Sequence, residues 1–218
     1  MKQFGMFIVA GLAFGLGGAT PSSANNLIVN GSFETPSAGT GDCLCANGTV
    51  PGWTTTDPSG IIEIDDSAAF GGSAYDGTQS LEVNAFNPED VQQTVSGLTI
   101  GQSYILSWAY GDRPGSGDEE MQVYLGSSLV TTDYDNLEGS NPSLLWSPNS
   151  FVVTATATSE VLSFNGIYVD GDPSVGNEVD AVSLDQTPEP STLLYFATGL
   201  GVLGYAWRRR GIRLSGKQ

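Results

Sequence analysis

SYILSWAY, at residues 103–110, is the stretch that decides the fold. In an extended strand, side chains at alternate positions share a face. Tyr104, Leu106, Trp108 and Tyr110 then stand on one face, with Ile105, Ser107 and Ala109 on the other. A face carrying three aromatic rings and a leucine is too bulky to leave in solvent, so it points inward. Glycine-bearing turns bound the stretch on both sides, at Ser96-Gly97 and from Gly111 to Gly117.

The same reading extends outward in both directions. Short strands are expected at IIEI (61–64), QSLEV (79–83), VQQTV (91–95), MQVYL (121–125), SLVTT (128–132), FVVTATA (151–157), VLSFNGIYV (161–169) and EVDAVSL (178–184). Turn signals at Asp76-Gly77, Gly126, Asn165-Gly166 and Asp170-Gly171 separate them. Outside the two terminal segments nothing reads at a helical period. Many short strands with a turn about every ten residues predict an all-β sandwich or barrel. By the same alternation Val123, Leu125, Leu162 and Phe164 face inward.

Upstream, in NNLIVNGSF (25–33), Leu27 and Val29 alternate with polar neighbours before Asn30-Gly31 turns the chain. Residues 35–60 read as loop, rich in Pro, Gly, Ser and Thr, with Trp53 inside it. Cys43 and Cys45 are also here, one residue apart. A disulfide is the default for exported thiols, yet neighbours at i and i+2 close a very small ring. A strained local disulfide, free thiols, and bonding to another molecule all remain open. Two thiolates without histidine are too few for a zinc site.

Both ends read as targeting segments. Residues 1–24 have a basic Lys2, an apolar run over 4–16 and small residues at Ser22 and Ala24, the pattern of a signal peptide. At the other end stands TPEPSTLLYFATGLGVLGYAWRRR (187–210): Pro188-Glu189-Pro190, an uncharged apolar run, then Arg208, Arg209 and Arg210. As a helix the run spans roughly 25 Å, a little short of the ~30 Å hydrocarbon layer. Basic residues stay cytoplasmic, which puts everything before Pro188 outside. This tail resembles the PEP-CTERM sorting signal of bacteria, with Thr187 where that family usually has valine. The resemblance implies transient inner-membrane anchoring by a single transmembrane helix and cutting near the triplet by an exosortase-type processing enzyme. It places the protein at the cell envelope, the outer surface or the extracellular matrix. The expected organisation is therefore signal peptide 1–24, β domain 25–186, sorting and anchor segment 187–211, and cytoplasmic tail 212–218.

Charge narrows the function classes. All but one of the 24 acids lie between the terminal segments, where Arg113 is the only one of the seven bases. Such a surface repels nucleic acid and anionic lipid, and it favours solubility or divalent cations. The chain has no histidine, which removes Ser-His-Asp and Cys-His catalysis and most zinc and copper sites.

The domain itself carries IVNGSFE (28–34), PGW (51–53), DGTQSLEV (76–83), SGLTIGQSYILSW (96–108) and NEVDAVSL (177–184). In that order the motifs resemble galactose-binding-like jelly-roll domains, which include several carbohydrate-binding modules. The resemblance implies a jelly-roll β-sandwich, and a structural Ca²⁺ held by Glu34 and Asp180 with turn carbonyls. Ala181 stands where the family often has a second acid. Calcium takes six to eight oxygens; the alternative is a pair of solvated or turn-capping acids. Sugar rings stack on aromatic planes while amides and carboxylates take their hydroxyls. Of Trp53, Trp146, Tyr75, Tyr134 and Tyr168, the favoured sugar contacts are Tyr134 and Trp146, and Trp53 reads as a core plug. Asn84, Asn87, Asp133 and Asp135 are candidates for the polar half. DRPGSGDEE (112–120) reads first as a solvated hairpin loop, and second as a sugar or cation site. A glycosidase needs two placed carboxylates, and no motif selects a pair. The expected function is a non-enzymatic exported protein that associates with extracellular polysaccharide. An acidic adhesive matrix protein and a polysaccharide-active hydrolase are the rivals.

Overall fold

A computed structural model describes residues 26–114, 116–135 and 143–187. The expected signal peptide and the expected transmembrane helix lie outside the described residues. In chain order the strands are β1 (Asp42–Ala46), β2 (Thr54–Thr55), β3 (Ile61–Asp66), β4 (Gln79–Glu82), β5 (Asp90–Ser96) and β6 (Ser103–Asp112). They continue with β7 (Glu119–Leu125), β8 (Ser128–Asp135), β9 (Leu145–Thr154), β10 (Ser159–Tyr168) and β11 (Asn177–Gln186). One sheet has six strands in the order β1-β3-β4-β11-β6-β9, and the other has five in the order β2-β5-β10-β7-β8. The pairs are antiparallel, and the two sheets stack as a jelly-roll β-sandwich.

The alternation read from SYILSWAY sets the core. Tyr104, Leu106, Trp108 and Tyr110 are all buried, and Val123, Leu125, Leu162 and Phe164 meet them from the other sheet. Burying each such side chain stabilises by about 1.5–3 kcal/mol. Trp108 stacks on Phe151 at 5.6 Å and meets Phe164 edge-on at 6.0 Å. Trp53 is a core plug, as expected. It is 1% exposed, lies 5.1 Å from Phe33 and 6.0 Å from Phe164, and donates its indole N–H to the Asn30 carbonyl.

Four local expectations change, one of them at Asn165-Gly166, which is no turn but the middle of β10, paired with Gln122 and Met121. Residues 35–60 are not all loop, because β1 pairs with β3 from Asp42↔Asp65 to Ala46↔Ile61, and β2 pairs with β5. Both are short edge strands whose Gly- and Thr-rich surroundings hide the period. The Asn47 side chain bridges them, donating to the Thr55 carbonyl and accepting its N–H. Within β1, Cys43 and Cys45 form the local disulfide, one of the three open readings. At the N-terminus Ile28 turns inward while Val29 is 54% exposed, the reverse of the alternation expected, and the segment is extended without being a regular strand. It hangs on the last strand instead, Leu27 N–H donating to the Leu184 carbonyl and Asn26 accepting from Leu184 N–H. The reason for glycine in NGSF is close approach: a Cβ at Gly31 would lie 2.1 Å from the Val182 oxygen. Finally, β9 begins at Leu145, six residues ahead of the expected FVVTATA.

These elements leave the outer faces of the two sheets different. The loop 67–78 crosses the outer face of the six-stranded sheet. There Trp146 N–H donates to the Ser73 carbonyl, and a Cβ at Gly72 would lie 2.5 Å from Leu144. The outer face of the five-stranded sheet forms an open groove.

Candidate functional site

In β5, β7 and β10 the inward residues are apolar, apart from Gln93 and the strand ends, and the outward ones are largely polar. In β7, Met121, Val123 and Leu125 are buried, so Glu120, Gln122 and Tyr124 stand outward. They link along the strand: Tyr124 O–H donates to Gln122 at 2.7 Å, and the Gln122 amide donates to Glu120 at 3.2 Å. Across the groove β10 contributes Ser163 and Asn165, and β5 contributes Asp90 and Gln92. Ser163 O–H donates to Asp90. Tyr124, Asp90, Gln92, Ser163 and Asn165, with Thr56 beside them, line a shallow depression of about 560 Å³. It presents one half-buried aromatic ring among two amides, a carboxylate and two hydroxyls, a chemistry that matches a sugar's apolar face and its hydroxyl edge.

Tyr134 lies on the same face. It pairs with Glu120 and is 67% exposed, about 13 Å along the strand from Tyr124. Trp146, the other expected sugar contact, lies on the outer face of the opposite sheet, against Gly111 and edge-on to Tyr75 at 6.3 Å. The two residues therefore do not share a surface. Of the polar candidates, Asn84 is sealed and accepts from Asn177, and Asp133 is 9% exposed and accepts from Trp108 and Asn149. Burial pushes Asp133 up to about 6, with those two hydrogen bonds opposing it. Neither faces a ligand surface. Asn87 is exposed, and the Asp135 side chain lies outside the described residues. Tyr124, Gln92 and Asn165 were missed in the sequence. Their signal was an aromatic at an outward position of MQVYL, alternating with three apolar residues.

The expected calcium pair meets at one turn. Glu34 accepts Thr78 N–H at 2.7 Å, Gln79 N–H at 2.9 Å and Thr78 O–H at 3.0 Å. Burial raises its pKa, but these bonds outweigh that and leave it lowered. Asp180 is fully buried and accepts Asp76 N–H at 2.7 Å and Ala181 N–H at 2.5 Å. Burial lifts it to about 7 against the pull of those amides. Ala181 sits at φ 50° in the bulge of β11. Every one of these contacts turns a positive hydrogen toward the carboxylates, where an ion shell needs converging oxygens. As placed, the two acids fit a clamp on the 75–79 turn.

The charged loop 112–120 is not simply solvated. Asp112, Ser116 and Glu119 are buried, Ser116 O–H donating to Asp112 at 2.5 Å. Arg113 folds over Phe70, 4.0 Å from the ring centroid, and donates to Glu82 at 2.5 Å. Its Nη1 lies 3.9 Å from both Glu63 and Asp65. These acids form a cross-strand row, Glu63↔Glu82↔Glu178, with Asp65 beside it. Burial pushes Glu63 up to about 8, the Asp65 charge adding to it, and raises Glu82 and Glu178 strongly for the same two reasons. Glu63, Asp65 and Glu82 each offer an oxygen within 4.8 Å of the others, a spacing that suits a metal ion.

Comparison with known proteins adds three findings. The profile of the HpiC1-like family, described as HpiC1 cyclase, matches residues 24–163, and the PEP-CTERM protein-sorting motif matches residues 186–210. Halomucin of Haloquadratum walsbyi is 29% identical over 190 residues, 84% of this chain. The chain spans only 2% of that protein's length. Among solved structures, the Stig cyclase FisC from Fischerella sp. TAU, in complex with (3Z)-3-(1-methyl-2-pyrrolidinylidene)-3H-indole, has a TM-score of 0.52 at 20% identity. It covers 77% of this chain and 100% of its own. TmCBM61 in complex with β-1,4-galactotriose has a TM-score of 0.44 at 14% identity, over 75% of this chain and 100% of its own. At these identities the likeness to FisC is one of fold.

Proposed function

The chain belongs to the HpiC1-like family, and we propose that this member uses the jelly roll to bind extracellular polysaccharide at the cell surface, without catalysing a reaction. One observation carries the reading: the groove of about 560 Å³ on the five-stranded sheet, where Tyr124 stands among Asp90, Gln92, Ser163 and Asn165. A glycan chain is long and polar, and an open strip of this kind lets it lie along the strands from Tyr124 toward Tyr134. The PEP-CTERM motif marks the protein for export and surface sorting, which brings the groove to where such polymers are made. In this reading residues 1–24 are removed on export. The anchor over residues 187–211 then holds the domain at the membrane until an exosortase-type enzyme cuts near Pro188-Glu189-Pro190.

The test is a glycan panel probed with the exported domain and with Tyr124→Ala. Retention of an acidic or neutral polysaccharide, lost in the variant, supports the reading. No retention by any glycan, together with firm association with the cell matrix, favours an adhesive matrix protein instead. Release of reducing sugar favours a hydrolase. The family description favours one further reading, a cyclase acting on a small molecule. A cyclised isomer, unchanged in mass and shifted in retention, formed by the purified chain from a cell extract would carry it.

A further inference from the structure

We propose that the acidic box under the 67–78 loop is a divalent-cation site of the calcium class, with Glu63, Asp65 and Glu82 as ligands, Glu178 as a fourth, and Arg113 as a displaceable plug.

Charge comes first. Four carboxyl groups, each no more than 5% exposed, share one guanidinium. Ionised together they leave a deficit of positive charge in a place water does not reach, and buried charge is retained only when it is compensated. Arg113 serves Glu82 closely but reaches Glu63 and Asp65 only at 3.9 Å.

The second observation concerns two buried side chains with oxygens that no hydrogen-bond donor reaches. Asp65 is 0% exposed, and neither of its oxygens accepts a hydrogen bond. Glu178 comes from a different strand and is 1% exposed. It also leaves Oε2 without a hydrogen-bond partner, facing the Asp65 carboxyl. Buried oxygens without donors are rare, and either a proton shared between carboxyls or a bound ion accounts for them. A metal ion supplies what they lack.

Geometry and chemistry select the ion. Calcium–oxygen distances of about 2.3–2.6 Å place oxygens on opposite sides of the ion about 4.6–5.2 Å apart. The ligand oxygens of Glu63, Asp65 and Glu82 lie within 4.8 Å of one another. All donors are carboxylates, which suit hard cations and exclude a preference for copper or zinc. Entry runs past Arg113, whose side chain keeps 19% exposure and is held from one side by the Phe70 ring. Swinging it out opens the box, and the guanidinium already marks the position as one that takes positive charge. This box is separate from the Glu34–Asp180 clamp, whose oxygens are served by the 75–79 turn and Ala181.

The experiment is calorimetric titration of calcium chloride into the metal-free full-length chain, purified in detergent. Unmodified chain takes up one calcium ion per molecule. Asp65→Asn abolishes that uptake, Glu34→Gln leaves it unchanged, and Arg113→Gln tightens it by about tenfold or more, because a competing cation is gone. If Asp65→Asn fails to fold, as judged by near-UV circular dichroism, Arg113→Gln decides: tighter uptake supports the site, and equal or weaker uptake overturns it. No calcium uptake by the unmodified chain overturns it, since shared protons then balance the box. Uptake that survives in Asp65→Asn and vanishes in Glu34→Gln overturns it too, by placing the ion at the clamp.

Discussion

Glu89→Gln should remove one pH-dependent weakness from the fold without disturbing its packing. Glu89 lies just ahead of β5, 4% exposed, and Oε2 accepts the Thr55 hydroxyl at 2.5 Å while Oε1 has no partner. Burial lifts its pKa from 4.5 to about 7, with the Thr55 bond opposing and the charges of Asp57 and Asp90 adding. A carboxyl whose folded pKa is raised binds its proton more tightly in the folded chain than in the unfolded one. Its stabilising effect is therefore complete below about 4.5 and is lost as pH rises to about 7. At roughly 1.4 kcal/mol per pKa unit, the loss is about 3 kcal/mol. Glutamine keeps the carbonyl that accepts from Thr55 and never ionises. In urea unfolding of the exported domain, the stability of Glu89→Gln minus that of the unmodified protein should rise by about 3 kcal/mol between pH 4.5 and pH 8. For a domain of this size that is about 6–12 °C in melting temperature at pH 8. A difference that stays flat across that range would refute the reasoning, because Glu89 would then reach solvent and titrate as it does in the unfolded chain.

Other substitutions probe separate parts of the structure. Trp53→Ala empties the plug between Phe33 and Phe164 and also removes the donor to Asn30, and should cost about 3–5 kcal/mol in urea unfolding. Glu34→Ala releases three donors of the 75–79 turn. Because the site is exposed to water, the cost should be near 1 kcal/mol, accompanied by faster amide exchange at Thr78 and Gln79. Gly31→Ala pushes a methyl into the Val182 carbonyl and should detach the N-terminal segment, seen as lost exchange protection at Leu27 and Val182.

Much of the sandwich was legible because its strands alternate cleanly. SYILSWAY put four side chains inward and all four are buried, and MQVYL and VLSFNGIYV behave the same way. The edge strands β1 and β2 were not legible. An edge strand of two to five residues is half solvated, so its period is weak, and what fixes it is the long-range pairing with β3 and β5. The acids were the hardest to place. Nothing local distinguishes Glu63, Asp65, Glu82 and Glu178 from the many solvated carboxylates of so acidic a chain. They meet only because β3, β4 and β11 lie side by side and the loop 67–78 covers them. Arg113 was singled out as the one base of the domain, and its partners likewise depend on that strand order. Tyr134 and Trp146 were chosen as sugar contacts on chemistry alone, and they stand on opposite sheets because β8 and β9 belong to different layers.

The central claim, that polysaccharide is bound on the five-stranded sheet, is tested most directly by amide resonance mapping of the exported domain as a bound polysaccharide is added. Shifts confined to Gln92, Gln122, Tyr124, Ser163 and Asn165, with Tyr134 at the margin, are the expected result. Shifts centred on Tyr75, Arg113 and Trp146, on the opposite sheet, would contradict it.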